Sequence, residues 1–167
     1  MLSNKFEPQP YLFADMGHRP DKKLVYLIGS LRNPEITRLA NYIEDNVDVR
    51  VFDDWQCAGE HADDAWRDHE KQRGHDYITS LGRPAAKHVF NFDKTWIDRS
   101  AAVILVCPAG KSGHLEFGYA VGTGKPGLIL LDDPERWDVM YQFANAVSDN
   151  WEYAVDWLKA TLHVSHP

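Results

Sequence analysis

Apolar residues in this chain gather into short unbroken runs, separated by stretches of helical period. The plainest case lies between Val103 and Leu131. The run Val103–Cys107 stops at Pro108, a Gly/Ser loop follows, then a helical stretch, a Gly-Lys-Pro-Gly break and the run Leu128–Leu131. Continuous apolar runs bounded by turn residues predict strands buried on both faces, so this is a βαβ unit. An earlier run, Leu24–Ile28, ends in Gly29–Asn33. Asn33 can cap a helix with Pro34 at its first position, and Ile36, Leu39, Ala40 and Ile43 form its apolar stripe. Val47–Phe52 alternates and reads as strand two; Ala144–Ser148 predicts a short fifth strand. Asp133 and Pro134 open a further helix. The last helix is Trp151–Leu162, with Asp149 and Glu152 as capping pair and Trp151, Ala154, Val155, Trp157 and Leu158 for packing.

Between Asp53 and Phe92 the pattern changes: charged and aromatic residues alternate and aliphatic ones are few. Ala62–Arg73 reads as helix, Gly74 interrupts it, Tyr77–Leu81 and Ala85–Phe90 continue as helix, and Asp93–Ser100 is a short separate helix. That length exceeds a plain connection between strands, so 53–92 is expected to be a helical insertion or lid over the strand ends. Residues 1–20, with three prolines and little periodicity, read as an irregular arm. The remainder, 21–167, is one domain in which strands and helices alternate. The expected fold class is α/β: a doubly wound, five-stranded parallel sheet of flavodoxin-like type with a helical insertion after strand two.

Composition narrows the partners. The formal net charge is −7 and no Lys/Arg cluster exceeds two or three residues, which speaks against duplex nucleic acid, whose phosphates need a basic footprint. A small anion held by one or two arginines and backbone N–H groups is compatible with it. Cys57 and Cys107 lie far apart and fit a reduced, cytoplasmic setting. No apolar run is long enough to span a bilayer, and no signal peptide is visible. His61, Asp63, Asp64, His69, Glu70, His75 and Asp76 invite a metal-site reading, but the histidines follow no recognised ligand spacing. A solvated charged helix is the reading preferred, with no metal or organic cofactor expected.

In open α/β sheets ligands bind at the carboxyl ends of the strands, here Gly29–Asn33, Asp53–Trp55 and Pro108–His114. Glu116 reads as lying in the first turn of the helix beyond the third loop. Gly110, Ser112 and Gly113 leave its approach uncrowded, and Gly118 and Gly122 are expected to let the helix pack close to the sheet. Tyr26 lies on strand one and Asp93 just ahead of the central strand. A tyrosine and two carboxylates around a glycine-lined cleft suit a sugar, one carboxylate as nucleophile and the other as acid. Each has a plainer use: Glu116 complements the helix dipole, Asp93 caps a helix, Arg32 is a surface charge, Tyr26 is a strand residue. Trp55 and Trp66 can stack a base, although packing within the lid is the simpler use.

Y-L-I-G-S-L-R, the D-x-x-W of Asp93–Trp96, and S-G-H-L-E-F-G-Y-A followed by G-K-P resemble the nucleoside 2-deoxyribosyltransferase superfamily, which includes the deoxyribonucleoside 5′-monophosphate N-glycosidases. The resemblance spans roughly residues 24–160, with 53–92 longer than the family core. It implies that Glu116 attacks the anomeric carbon and displaces the base. Tyr26 would orient that carboxylate, and Asp93 would protonate the leaving base. Gly29, Ser30 and Arg32 match the G-S-x-R pattern that takes a 5′-phosphate; Gly110, Ser112, Gly113 and His114 line the substrate loop, with His114 near phosphate or simply a helix-start residue. The transferases carry an aspartate six residues before the nucleophile, where this chain has Gly110, which argues for a nucleotide substrate. The resemblance also implies a homodimer or larger homo-oligomer, with a group donated from near Met140–Asn145. Two other readings stand beside it: a hydrolase of the nicotinamide–ribose bond of a dinucleotide, and a nucleotide-binding or sensing domain without chemistry.

Overall fold

In the computed structural model, which describes residues 21–132 and 137–165, five parallel strands form one sheet in the order β2-β1-β3-β4-β5. The strands are β1 (Lys23–Ile28), β2 (Val49–Phe52), β3 (Ala102–Val106), β4 (Gly127–Leu130) and β5 (Ala146–Ser148). Helices α1 (Glu35–Asn46), α2 (Ala62–Gln72), α3 (Tyr77–Leu81), α4 (Pro84–Arg99), α5 (Lys111–Gly122) and α6 (Trp151–Leu162) connect them, with short 3-10 turns at Asp54–Ala58 and Val139–Phe143. This is the doubly wound, flavodoxin-like arrangement expected from the alternation of runs. The chain leaves β1 towards β2 on one side and continues from β3 on the other, so the topological switch point lies between β1 and β3.

Alternation along each strand divides the core in two. Val25, Leu27, Ile104, Val106, Leu128 and Leu130 face α1 and α6, where the predicted stripe of Ile36, Leu39, Ala40 and Ile43 is buried. Leu24, Tyr26, Ile28, Val103, Leu105 and Ile129 face α4 and α5, represented by Trp96, Ile97, Phe117 and Ala120. With helices on both faces, neither side of a strand can be polar, which explains the unbroken runs. Asn33 accepts the Glu35 N–H at 3.0 Å and so opens α1 as expected.

Four local expectations change. Asp93–Ser100 is not a separate helix: Pro84–Arg99 is one continuous helix, and Asp93 lies inside it, so its side chain caps nothing. Asn150, not Asp149, caps α6, because it holds the extended backbone directly before Trp151 and accepts the N–H groups of Glu152 and Tyr153 at 2.7 and 3.2 Å. Gly118 and Gly122 do not bring α5 to the sheet; a Cβ at either would meet open space. Gly113 and Gly127 do that work. A Cβ on Gly113 would come within 3.2 Å of Ile28, and one on Gly127 within 2.6 Å of Val121 and 2.9 Å of Phe117. Strand ends shift by one or two residues from the sequence reading. The arm 1–20 and the Asp133–Pro134 helix start lie outside the described residues.

Aromatic side chains fix α4 on the sheet. Phe52 stacks between Tyr26, at 5.2 Å between centroids, and Trp96, at 4.4 Å, and Phe92 tilts against Phe52 at 5.9 Å. Phe52 is fully buried. Phe52→Ala is expected to destabilise the protein by about 3–5 kcal/mol in urea unfolding, the usual cost of emptying a buried aromatic site. A loss below about 1 kcal/mol would show that the stack does not anchor α4.

Candidate active site

The switch point places three sequence-predicted residues together. Tyr26 rises from β1, Asp93 comes from α4 before β3, and Glu116 comes from α5 after β3. Tyr26 is buried, whereas Asp93 and Glu116 are half-buried at the cleft between α4 and α5. Glu116 is the sixth residue of α5 and therefore in its second turn, not the first. Its distance from the terminal N–H groups weakens the helix-dipole explanation, since that effect falls off within the first turn.

The two carboxylates are mutually unfavourable. Burial, followed by the negative charge of Asp93, pushes Glu116 up from 4.5 to about 8. Burial also raises Asp93, to about 6; hydrogen bonding from Tyr26 opposes part of that rise, and the charge of Asp63 adds to it. Burial, with both carboxylates nearby, raises the Tyr26 phenol far above its ordinary value and keeps it a neutral donor. Of the two carboxylates, Asp93 is the one on which the Tyr26 hydroxyl acts as a hydrogen-bonding group, whereas Glu116 and Tyr26 influence one another through charge. Between about pH 6 and 8 the pair holds one proton, and in the empty cleft that proton rests mainly on Glu116.

The registry of α4 against α5 is set by hydrogen bonds from the E-F-G-Y-A and G-K-P stretches. The Tyr119 hydroxyl donates to Asp98 Oδ1 at 2.7 Å, and Lys94 bonds Asp98 Oδ2 at 2.6 Å. Lys125 donates to the carbonyls of Asp98 and Ser100, at 2.9 and 2.7 Å, where α4 ends. A cation over the last carbonyls of a helix satisfies acceptors that lack intrahelical partners. The residues flanking Glu116 in sequence therefore hold the helix that carries Asp93.

The β1–α1 loop is rigid. Trp55 donates its indole N–H to the Leu27 carbonyl at 2.8 Å, and the Gln56 side chain bonds the Ser30 and Asn33 carbonyls at 3.2 and 3.1 Å. Trp55 thus ties the Asp54–Ala58 turn to the end of β1, its ring partly buried against both halves of the core, and Trp66 lies edge-on to Tyr77. Ser30 Oγ accepts the Arg32 N–H at 3.2 Å. Gly29 is confined, since a Cβ there would fall 2.5 Å from Ile36. Arg32 is exposed, and its guanidinium is paired with Asp64 of α2 at 3.2 Å. The insertion therefore does reach the strand ends.

Glu70 departs from the solvated-helix reading. It is buried, 2.6 Å from His75 and 3.2 Å from Arg83, and ties α2 to the start of α4. Among the described residues no cluster of three or more His, Cys, Asp or Glu could hold a metal ion, and no helix is long and apolar enough to cross a membrane. Cys57 and Cys107 are free thiols.

On α5, His114 and Glu116 are two residues apart and so about 200° apart around the helix. Glu116 faces α4. His114 faces the other flank, bonding the Gly110 carbonyl at 2.8 Å and the Tyr141 hydroxyl at 3.0 Å and stacking on the Tyr141 ring. An open depression of about 630 Å³ on that flank is lined by Ala109, Gly110, Lys111, His114 and Leu115. Of the substrate loop predicted from the sequence, His114 and Gly110 belong to this depression, and Gly113 is buried within α5 on the side facing the sheet. Ser112 is exposed in the first turn. Sequence reasoning gave no role of their own to Tyr119 and Lys125, which stood only inside quoted motifs, and met Asp63 only in the metal-site reading; the spacing of Tyr119 from Glu116 was the available signal for the first.

Neither protein-family models nor curated proteins returned a match to this sequence.

The raised carboxylate predicts a pH signature. Folded Glu116 binds its proton up to about pH 8, whereas its ordinary value is 4.5, so the native state holds more protons across that window. Its contribution to stability therefore falls as pH rises from about 4.5 to about 8. Glu116→Gln should gain stability relative to the parent chain over that interval, read by thermal melts at several pH values. A gap that is flat or narrows with rising pH would contradict the buried, charge-opposed placement.

Proposed function

We propose that the chain cleaves the N-glycosidic bond of a nucleoside or nucleotide, by hydrolysis or by transfer to a second base. The observation that carries this reading is the one-proton carboxylate pair, Asp93 and Glu116, held against a neutral buried tyrosine at the switch point of the sheet. Breaking such a bond builds positive charge on the sugar and negative charge on the leaving base. An ionised carboxylate beneath the ring meets the first, and a protonated one beside the base meets the second. Two carboxylates sharing one proton supply both forms at once.

The resemblance assigns the nucleophile to Glu116 and the acid to Asp93. The empty cleft prefers the opposite protonation, and substrate reverses it. A base acceptor near Asp93 favours the proton there, while the cationic sugar favours ionised Glu116. Attack by a Glu116 oxygen on the anomeric carbon forms a glycosyl ester as the C–N electrons pass to the base, which takes the Asp93 proton. Water or a second base then attacks the same carbon, losing a proton to Asp93 and freeing the Glu116 carboxylate. No metal or organic cofactor enters these steps. Nucleoside, nucleoside monophosphate and dinucleotide share the scissile bond, so product identity separates the glycosidase from the nicotinamide–ribose hydrolase.

Incubation with a panel of nucleosides, their 5′-monophosphates and NAD, with free base followed by chromatography, should show base release from at least one nucleoside or monophosphate. Glu116→Ala should lower the rate by about 10³-fold or more, and Asp93→Asn by about 10²–10⁴-fold. The profile of kcat/KM should be bell-shaped with limbs near 6 and 8. Nicotinamide release alone would favour the dinucleotide reading. Binding without turnover of any substrate would leave a sensing domain.

We also propose that the chain works as a homo-oligomer. In support, the flank bearing His114 is open: Leu115 lines the depression, and Val139, Met140 and Phe143 are exposed on the turn whose Tyr141 bonds His114. A second copy would cover that surface and bring Met140–Asn145 to a neighbouring cleft. Sedimentation should give a dimer or larger species, and Phe143→Glu should shift it towards monomer with loss of base release. A monomeric, fully active parent chain would refute this.

A further inference from the structure

Asp64 stands in the first turn of α2 and reaches back to the carboxyl edge of the sheet. Its Oδ2 lies 3.2 Å from Nη2 of Arg32, on the loop after β1, and its Oδ1 lies 2.9 Å from Nη1 of Arg67. Arg67 is also engaged by Asp68, at 2.8 Å, and His61 stands 3.9 Å from Asp64. The neighbouring Asp63 is close enough to act on Asp93 through its charge. The first turn of α2 thus brings Asp64 to the one guanidinium of the loop, and Asp63 within electrostatic reach of a cleft already holding two carboxylates. One Asp64 oxygen meets a single N–H of Arg32, where an oxygen of a phosphate would otherwise sit, while its second oxygen is taken by Arg67.

We infer that Asp64 is a specificity-determining residue: it fills the anion position at Arg32 with a carboxylate of the chain itself, so that the cleft selects a nucleoside without a 5′-phosphate over the corresponding monophosphate. The Arg32–Asp64 pair is exposed, with side chains 62% and 39% accessible, and such a pair is weak taken alone. Its strength as a competitor comes from tethering. The carboxylate is held next to Arg32 by α2, at an effective concentration far above that of a dissolved ligand. A phosphate dianion must displace Asp64 from Arg32 and then sit beside the displaced carboxylate, a like-charge arrangement that disfavours it further. A neutral 5′-hydroxyl meets neither obstacle. The sequence motif around Ser30 and Arg32, taken alone, points to a phosphate; the insertion, absent from that motif, reverses the preference.

The inference rests on the glycosidase reading for the identity of the ligand, and binding tests it separately from turnover. A nucleoside and its 5′-monophosphate would be titrated calorimetrically into the full-length chain and into Asp64→Asn, Asp64→Glu and Arg32→Gln/Asp64→Asn. The parent chain should bind the nucleoside more tightly. Asp64→Asn should shift the ratio of the two dissociation constants towards the monophosphate by about tenfold or more. Asp64→Glu, which keeps the competing charge and guards against a folding artefact, should leave the ratio near that of the parent. The double variant should lose the shift. Tighter binding of the monophosphate by the parent chain, or a ratio unmoved by Asp64→Asn, overturns the assignment. Binding with the expected ratios but no base release would sink the glycosidase reading and leave the role of Asp64 standing; no binding of either compound overturns both.

Discussion

Two carboxylates that repel one another, Asp93 and Glu116, face each other across a partly desolvated cleft, and much of the surrounding structure serves to keep them there. Like charges at the edge of a low-dielectric interior separate or share a proton unless the backbone holds them. Here the holding elements are two different helices on the same face of the sheet. The stack of Tyr26, Phe52, Trp96 and Phe92 fixes the inclination of α4. Tyr119 and Lys125 then lock α4 to α5 through Asp98 and Ser100. Both sets of contacts determine whether the pair exists.

That dependence gives a physical meaning to the stretch around Glu116. Phe117 and Ala120 are buried against the sheet, Tyr119 clamps α4, and the lysine of G-K-P closes the end of α4. A short contiguous motif therefore encodes Glu116, the proposed nucleophile, and the registry of the opposing carboxylate together. Gly127, immediately after that proline, lies where a side chain would strike Phe117 and Val121, so the β4 start is part of the same constraint.

The fold was legible because its strands are buried on both faces, and such runs are hard to mistake once Pro and Gly bound them. Glu116, Asp93 and Tyr26 were picked out mainly by the family resemblance, and topology brings them near one another because it places the carboxyl ends of β1 and β3 side by side. Local detail was less so. Asp93 looked like a cap because aspartate before a helical stretch usually is one, yet α4 had already begun nine residues earlier at Pro84. Gly118 and Gly122 looked like packing glycines because their spacing suits one, whereas the facing side of α5 is set by Gly113. The use of Asp64 was invisible: its partner Arg32 lies 32 positions away, and only the placement of the insertion brings them together.

The insertion also changes what can be argued from the cleft about chemistry. A site built from Tyr26, Asp93, Glu116 and an unencumbered Arg32 would carry one cation for two carboxylates and would welcome a phosphate. With α2 in place, Asp64 cancels that cation and Asp63 adds to the charge felt by Asp93. Since α2 also brings Arg67, which shares Asp64 with Arg32, the added negative charge that reaches the cleft is that of Asp63 on Asp93; on the proposed reading it suits a transition state with a cationic sugar. A field that stabilises an oxocarbenium ion is unfavourable to a dianion bound a few ångströms away. On the proposed reading, stabilising the developing charge and excluding the phosphate would be two results of one placement, that of the first turn of α2 over the carboxyl edge of the sheet.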